Sequence, residues 1–359
     1  MRFLVQIWPV NLNKRGLLPV SWLIFFIFFT TSCTVWRVSP RNFYEPPELP
    51  PSLSALYQYE KTPLDATLIR ETVHRRYIFR QVELPLILPE AAQIRPVYEW
   101  QNMNEEISKT NHEESNDLKL FYTNRLSLYL PKKTGKRPLI VISPITGGNQ
   151  VVDIFAKFFA RHGYVAVIVE RKKVFYDETL GPEQVEKYLR SSVIRIRQAI
   201  DWLATQPEVD PDQIGGFGIS YGAVLHSVLA AVEPRIKFHI LVMPAGELPD
   251  VILNCPESRI HKLVSKLEAR GWPREKIHSE LKRVIVTDPI NFAPYVPKDR
   301  VVIYGAIFDR VVGGRRTIRL WKMMNRPNLK LMPFGHYGGI VALPYLLTSS
   351  LYLYQSHLK

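Results

Sequence analysis

Ser220, Asp309 and His336 are residues of the right types, in a workable chain order, to do chemistry together. A serine hydroxyl is a weak nucleophile at neutral pH. It needs a base within hydrogen-bond reach, and the base needs an acid to orient it. Ser220 lies in Gly218-Ile219-Ser220-Tyr221-Gly222, a G-x-S-x-G pattern. Five letters recur by chance, so the context decides. An apolar run, Ile214–Ile219, precedes the serine, and a helical run starts near Tyr221. A bend that sharp strains the serine backbone, and the flanking glycines let strand and helix approach closely. A glycine-rich turn with an inert serine is the plainer alternative.

Asp309 follows the apolar run Val301–Ala306, and His336 follows Leu329–Met332 among glycines that admit its ring. The other histidines read as structural. His162 ends a helix before Gly163, His226 lies in the helix after the serine, and His239 sits inside a strand. His261 and His278 fall on polar helical faces.

The elements that must carry these residues alternate. Lys119–Pro131 alternates apolar and polar residues as a half-buried strand does, and Pro138–Pro144 is a short continuous apolar run. A helix ending at Gly163, a strand, a long helix over Glu183–Gln206 and the Ser220 bend follow in turn. Strand and helix in alternation predict an α/β fold with a parallel sheet and helices on both faces. Between Pro244 and about Asn291 two mixed-charge helices around Gly271-Trp272-Pro273 interrupt the pattern.

From about Leu118 onward the chain resembles the α/β-hydrolases, through the bend at Ser220, the Gly305–Asp309 and Phe334–His336 loops, and Ser143–Gly148. Asp288–Pro294 is similar to the dienelactone-hydrolase and acyl-esterase branch. The resemblance implies a hydrolase domain over 96–359, with a mostly parallel central sheet and a helical cap at about 245–291. It implies a serine hydrolase that cleaves small-molecule carboxylic esters through an acyl-enzyme, with no metal or organic cofactor. Ser220 would be the nucleophile, His336 the base and Asp309 its orienting acid. Tyr221 and either Ile145 or Thr146 would supply N–H groups to the oxyanion, because Pro144 has none. A thioesterase, peptidase or acyltransferase with the same residues remains open, as does a non-catalytic surface-binding protein.

The 359 residues are 46% apolar with a formal charge of +14. The charge favours anionic surfaces, but no nucleic-acid-binding signature accompanies it. Arg2, Lys14 and Arg15 precede the apolar run Leu17–Phe29, and Thr30-Thr31-Ser32-Cys33 follows. This has the form of a signal peptide over 1–32. Its end resembles the lipobox of bacterial lipoproteins, with Thr30 where that family usually has Leu. Lipidation of Cys33, an uncleaved anchor and plain cleavage all export the protein to the cell envelope. Cys33 and Cys255 are the only cysteines, too few for a disulfide framework or a metal cluster. Residues 33–95 read as a proline-rich tether, to about 52, and an extension packed on the domain, with a helix near Ser54–Thr72.

Overall fold

Alternate residues of the buried strands face two different helix layers. The computed structural model describes residues 35–39, 44–93, 123–171 and 181–358. Cys33, the expected signal peptide over 1–32 and the polar stretch Asn102–Asp117 lie outside the described residues. The described residues from Trp36 onward form one compact unit. The strands are β1 (Trp36–Val38), β2 (Thr67–Val73), β3 (Tyr77–Pro85), β4 (Thr123–Pro131), β5 (Arg137–Ser143), β6 (Val165–Val169), β7 (Val209–Ile219), β8 (Ile236–Val242), β9 (Val301–Ala306) and β10 (Asn328–Met332). They form a 10-stranded sheet in the order β1-β10-β9-β8-β7-β5-β6-β4-β3-β2. From β10 to β6 every neighbouring pair is parallel, while β4, β3, β2 and β1 run antiparallel at the two edges.

The main helices are α1 (Gln150–Arg161), α2 (Pro182–Leu203), α3 (Tyr221–Val232), α4 (Leu248–Asn254), α5 (Ser258–Ala269), α6 (Arg274–Val284), α7 (Gly314–Met323) and α8 (Leu343–His357). Leu139 and Val141 of β5 pack with Val193 of α2 and Val228 of α3. Ile140 and Ile142, on the other face, pack with Phe155 of α1 and Leu346 of α8. A strand covered on both faces has no polar side, which is why Leu139–Ile142 is a continuous apolar run. Among the described residues no helix is long and apolar enough to cross a membrane.

The N-terminal stretch differs from the expected tether and helix. Trp36–Val38 is an edge strand on β10. Within residues 51–73 only Pro51–Ser54 and the turn Ala55–Tyr57 are helical, and Thr67–Val73 pairs with β3 as a strand. Tyr57 is fully buried, with its hydroxyl donating to Thr287 Oγ1 at 3.0 Å. That anchor ties the stretch to the domain.

His226 of α3 and His239 of β8 meet in the core, Nδ1 to Nδ1 at 3.4 Å, and both Nε2 atoms lack partners. A Cβ on Gly216 would lie 2.6 Å from one ring and 2.8 Å from the other, so the glycine makes their room. Burial, then the neighbouring His239, holds His226 well below its usual pKa. Burial, then Arg300, lowers His239 to about 3. A depressed histidine stabilises the fold above the unfolded value, about 6.5, and that contribution is lost as pH falls toward the folded value. His239 alone is expected to remove roughly 2 kcal/mol between pH 7.5 and 5. Urea midpoints at the two pH values test this, and the drop should shrink in a His226→Gln, His239→Gln double variant. An equal drop in both proteins would refute it.

Candidate active site

The parallel strands end side by side, and the loops that leave their C-terminal ends converge, as ligand sites in such sheets do. β7 stops at Ile219 and α3 starts at Tyr221, leaving Ser220 alone at the bend with φ 53 and ψ −117. Residues with a Cβ avoid that backbone. Its N–H donates to the Val242 carbonyl at 2.8 Å, and its carbonyl accepts from the Val224 N–H at 3.0 Å, so the bend is held on both sides. A Cβ on Gly218 would lie 2.3 Å from the Gly222 carbonyl, and one on Gly222 would lie 2.2 Å from the Ser143 carbonyl oxygen. Neither obstacle is a movable side chain. Gly222→Ala is therefore expected to destabilise the protein by about 3 kcal/mol or more. A denaturation midpoint equal to wild type would contradict this.

Asp309 lies just past β9. Its Oδ1 accepts the N–H groups of Val311 at 2.8 Å and Val312 at 3.0 Å, closing a turn around its own side chain. Its Oδ2 lies 2.8 Å from His336 Nδ1. A carboxylate only accepts, so Nδ1 donates and Nε2 is the basic ring nitrogen. Burial alone would raise the Asp309 carboxyl. The hydrogen bond and charge of His336, with the two N–H groups, outweigh it and hold the acid below its usual range. The two loops are tied by their backbones. Ile307 donates to the Met332 carbonyl and Phe308 to the Phe334 carbonyl, each at 3.0 Å.

Ser220 and His336 line one cavity of about 330 Å³. The structure joins His336 to Asp309 by a hydrogen bond and to Ser220 by this shared wall, without a direct hydrogen bond between Ser220 and His336. Ile145 and Thr146 line the same cavity. Tyr221 turns its ring away, with its hydroxyl donating to Ser192 Oγ at 3.1 Å. The remaining wall is largely apolar, including Val151, Ile154, Phe155, Val242 and Leu343. Among the described residues no cluster of His, Cys, Asp or Glu is suited to a metal ion.

Sequence reasoning missed most of the wall, including Met243, Glu257 and Tyr337. Tyr337 donates its hydroxyl to Glu257 Oε1 at 2.8 Å. Met243 has φ 53 and donates its N–H to the Tyr304 carbonyl at 2.7 Å, a backbone state with no local letter to announce it. The insertion after β8 is helical, as expected, and carries α4, α5 and α6. Among its described residues only Glu257 lines the cavity. Val264 of α5 and Ile277 and Leu281 of α6 instead join the apolar cluster that holds Val185 and Leu189 of α2.

Residues 94–254, under half of the chain, match the family described as X-Pro dipeptidyl-peptidase (S15 family). The match includes Ser220 and stops short of Asp309 and His336. An uncharacterised protein of Mycobacterium tuberculosis is 28% identical over 149 residues, 40% of this chain and 32% of that protein. A polyketide transferase of Penicillium crustosum is 29% identical over 129 residues, 35% of this chain and 41% of that protein. The chain thus spans well under half the length of these curated relatives. In three dimensions it is similar to an acetyl xylan esterase from Paenibacillus sp. R4, with a TM-score of 0.62 at 15% identity, over 86% of this chain and 92% of that one. The strand order, the bend at Ser220 and this likeness show that the chain has the α/β-hydrolase fold.

Proposed function

We propose that the protein is an exported serine hydrolase that cleaves carboxylic esters. The reading rests on one observation above all: a serine on strained backbone at a helix start shares a cavity with a histidine whose Nδ1 is bonded to a buried aspartate. Ser220 attacks the ester carbonyl. His336 takes the serine proton on Nε2 and delivers it to the leaving alcohol. Asp309 holds the ring and stabilises its cation. The Ser220–His336 hydrogen bond closes when substrate fills the cavity, as such bonds commonly tighten in the Michaelis complex. The Tyr221 N–H, with that of Ile145 or Thr146, receives the oxyanion, aided by the N-terminus of α3. Water then attacks the acyl-enzyme from the cavity. The apolar walls suit an uncharged acyl chain. The activity named for the Paenibacillus neighbour is ester cleavage of the same class. Export rests on the sequence alone, through the basic start, the apolar run and the end at Cys33.

A fluorophosphonate probe and a series of p-nitrophenyl esters test the reading. The probe is expected to leave an adduct that peptide mass mapping places on Ser220. The kcat/KM should rise with acyl length until the cavity is full and then fall. Folded protein that takes no adduct at Ser220 and hydrolyses none of the esters would end the proposal.

A further inference from the structure

A second cavity, of about 280 Å³, opens on the other side of the Ser143–Pro144 segment. Neither Ser220 nor His336 lines it. Its polar wall comes from one face of α2, where Tyr188, Ser192 and Arg195 stand at helical spacing. Other inward positions of α2, Val185, Leu189, Val193 and Ile200, are apolar, as a core-facing helix requires. Three polar residues on the buried side of such a helix depart from that rule. Arg195 departs most: it is only 6% exposed, and burying a guanidinium is costly unless its donors are used.

The fold uses the hydroxyls: Ser192 Oγ donates to the Tyr188 carbonyl at 2.7 Å and accepts from the Tyr221 hydroxyl at 3.1 Å, and Tyr188 hydrogen-bonds Arg171. Arg195 Nη2 donates to the Glu170 carbonyl oxygen at 3.0 Å, and among the described residues Arg195 forms no ion pair. Glu170 carries the carboxylate on this wall, and its Oε1 is already shared by Gln81 at 2.8 Å and Ser127 at 2.6 Å. Burial lowers the Arg195 guanidinium only to about 10, so it stays charged at neutral pH. Arg171 lines the same cavity and hydrogen-bonds the Tyr188 side chain. The facing wall is apolar, with Leu86, Leu88, Ile196 and Leu225.

We propose that this cavity binds a small organic carboxylate, its acid group on Arg195 and Arg171 and its short apolar body against Leu86, Leu88 and Leu225. Two guanidinium groups form a donor-rich end that matches a carboxylate. The volume limits the occupant to a small molecule. Tyr221 couples the two cavities. Its ring forms part of this wall, and its backbone begins α3 immediately after Ser220. The binding itself stands without the hydrolase reading.

Calorimetric titration of the full protein with acetate, butyrate and hexanoate at fixed ionic strength, against the matching amides, tests the proposal. Butyrate and hexanoate should bind and their amides should not. Arg171→Gln, on a half-buried residue, and Arg195→Met should each weaken carboxylate binding by roughly tenfold or more. Fluorophosphonate labelling of the variants reports separately on the first cavity and on folding. If Arg195→Met does not fold, Arg171→Gln decides. Carboxylates that bind no better than amides overturn the proposal, and so does carboxylate affinity that survives Arg171→Gln.

Discussion

Ser220→Ala is expected to lower kcat by roughly 10⁶-fold, and Ser220→Gly to lose as much activity while gaining stability. The two substitutions remove the same hydroxyl and differ only in a Cβ. At φ 53 and ψ −117 that Cβ is strained, and such backbone states store roughly 1–3 kcal/mol. Alanine keeps the strain and glycine releases it. Glycine also makes the unfolded chain freer, by roughly 0.4–1 kcal/mol, which offsets part of the release. The net expectation is that Ser220→Gly unfolds about 1 kcal/mol above Ser220→Ala. Ester turnover and urea midpoints of the two variants supply both readouts. A Ser220→Gly variant less stable than Ser220→Ala would mean that the bend stores no strain. Full activity in either would remove Ser220 from the chemistry.

The stored strain explains why this part of the fold was legible in the sequence. A strand buried on both faces must be continuously apolar, and Leu139–Ile142 and Phe217–Ile219 declare themselves so. The bend must admit backbone against backbone, so Gly218 and Gly222 appear on either side of the serine. The edges of the sheet were not legible. Trp36–Val38 is three residues long and pairs only with Leu329–Leu331, almost the whole chain away. Nothing local distinguishes it from a tether. Thr67–Val73 sits in the stretch expected to be helical, and its pairing with Ile78–Glu83 decides its state. The cavity wall shows the same limit. Val151 and Phe155 lie on the inner face of an amphipathic helix and read as core. Met243, Glu257 and Tyr337 reach the wall only because separate strand ends converge.

Asp309→Asn is expected to lower kcat by about 10⁴-fold with little change in KM or in folding. The argument lies in which atoms can be exchanged. Oδ1 of Asp309 accepts two backbone N–H groups, at 2.8 and 3.0 Å, and only an oxygen can do that. The asparagine amide must therefore keep its oxygen there and turn its NH₂ toward His336 Nδ1, where Oδ2 now sits at 2.8 Å. A donor facing Nδ1 forces the ring proton onto Nε2, and a protonated Nε2 cannot take the serine proton. The loop keeps its shape, because the turn through Val311 and Val312 is intact. The kcat and KM of the variant check the effect on the reaction, and its denaturation midpoint checks the loop. A loss below tenfold would mean that Asp309 does not set the tautomer of His336. A large loss accompanied by unfolding would assign the residue to the loop instead of the reaction.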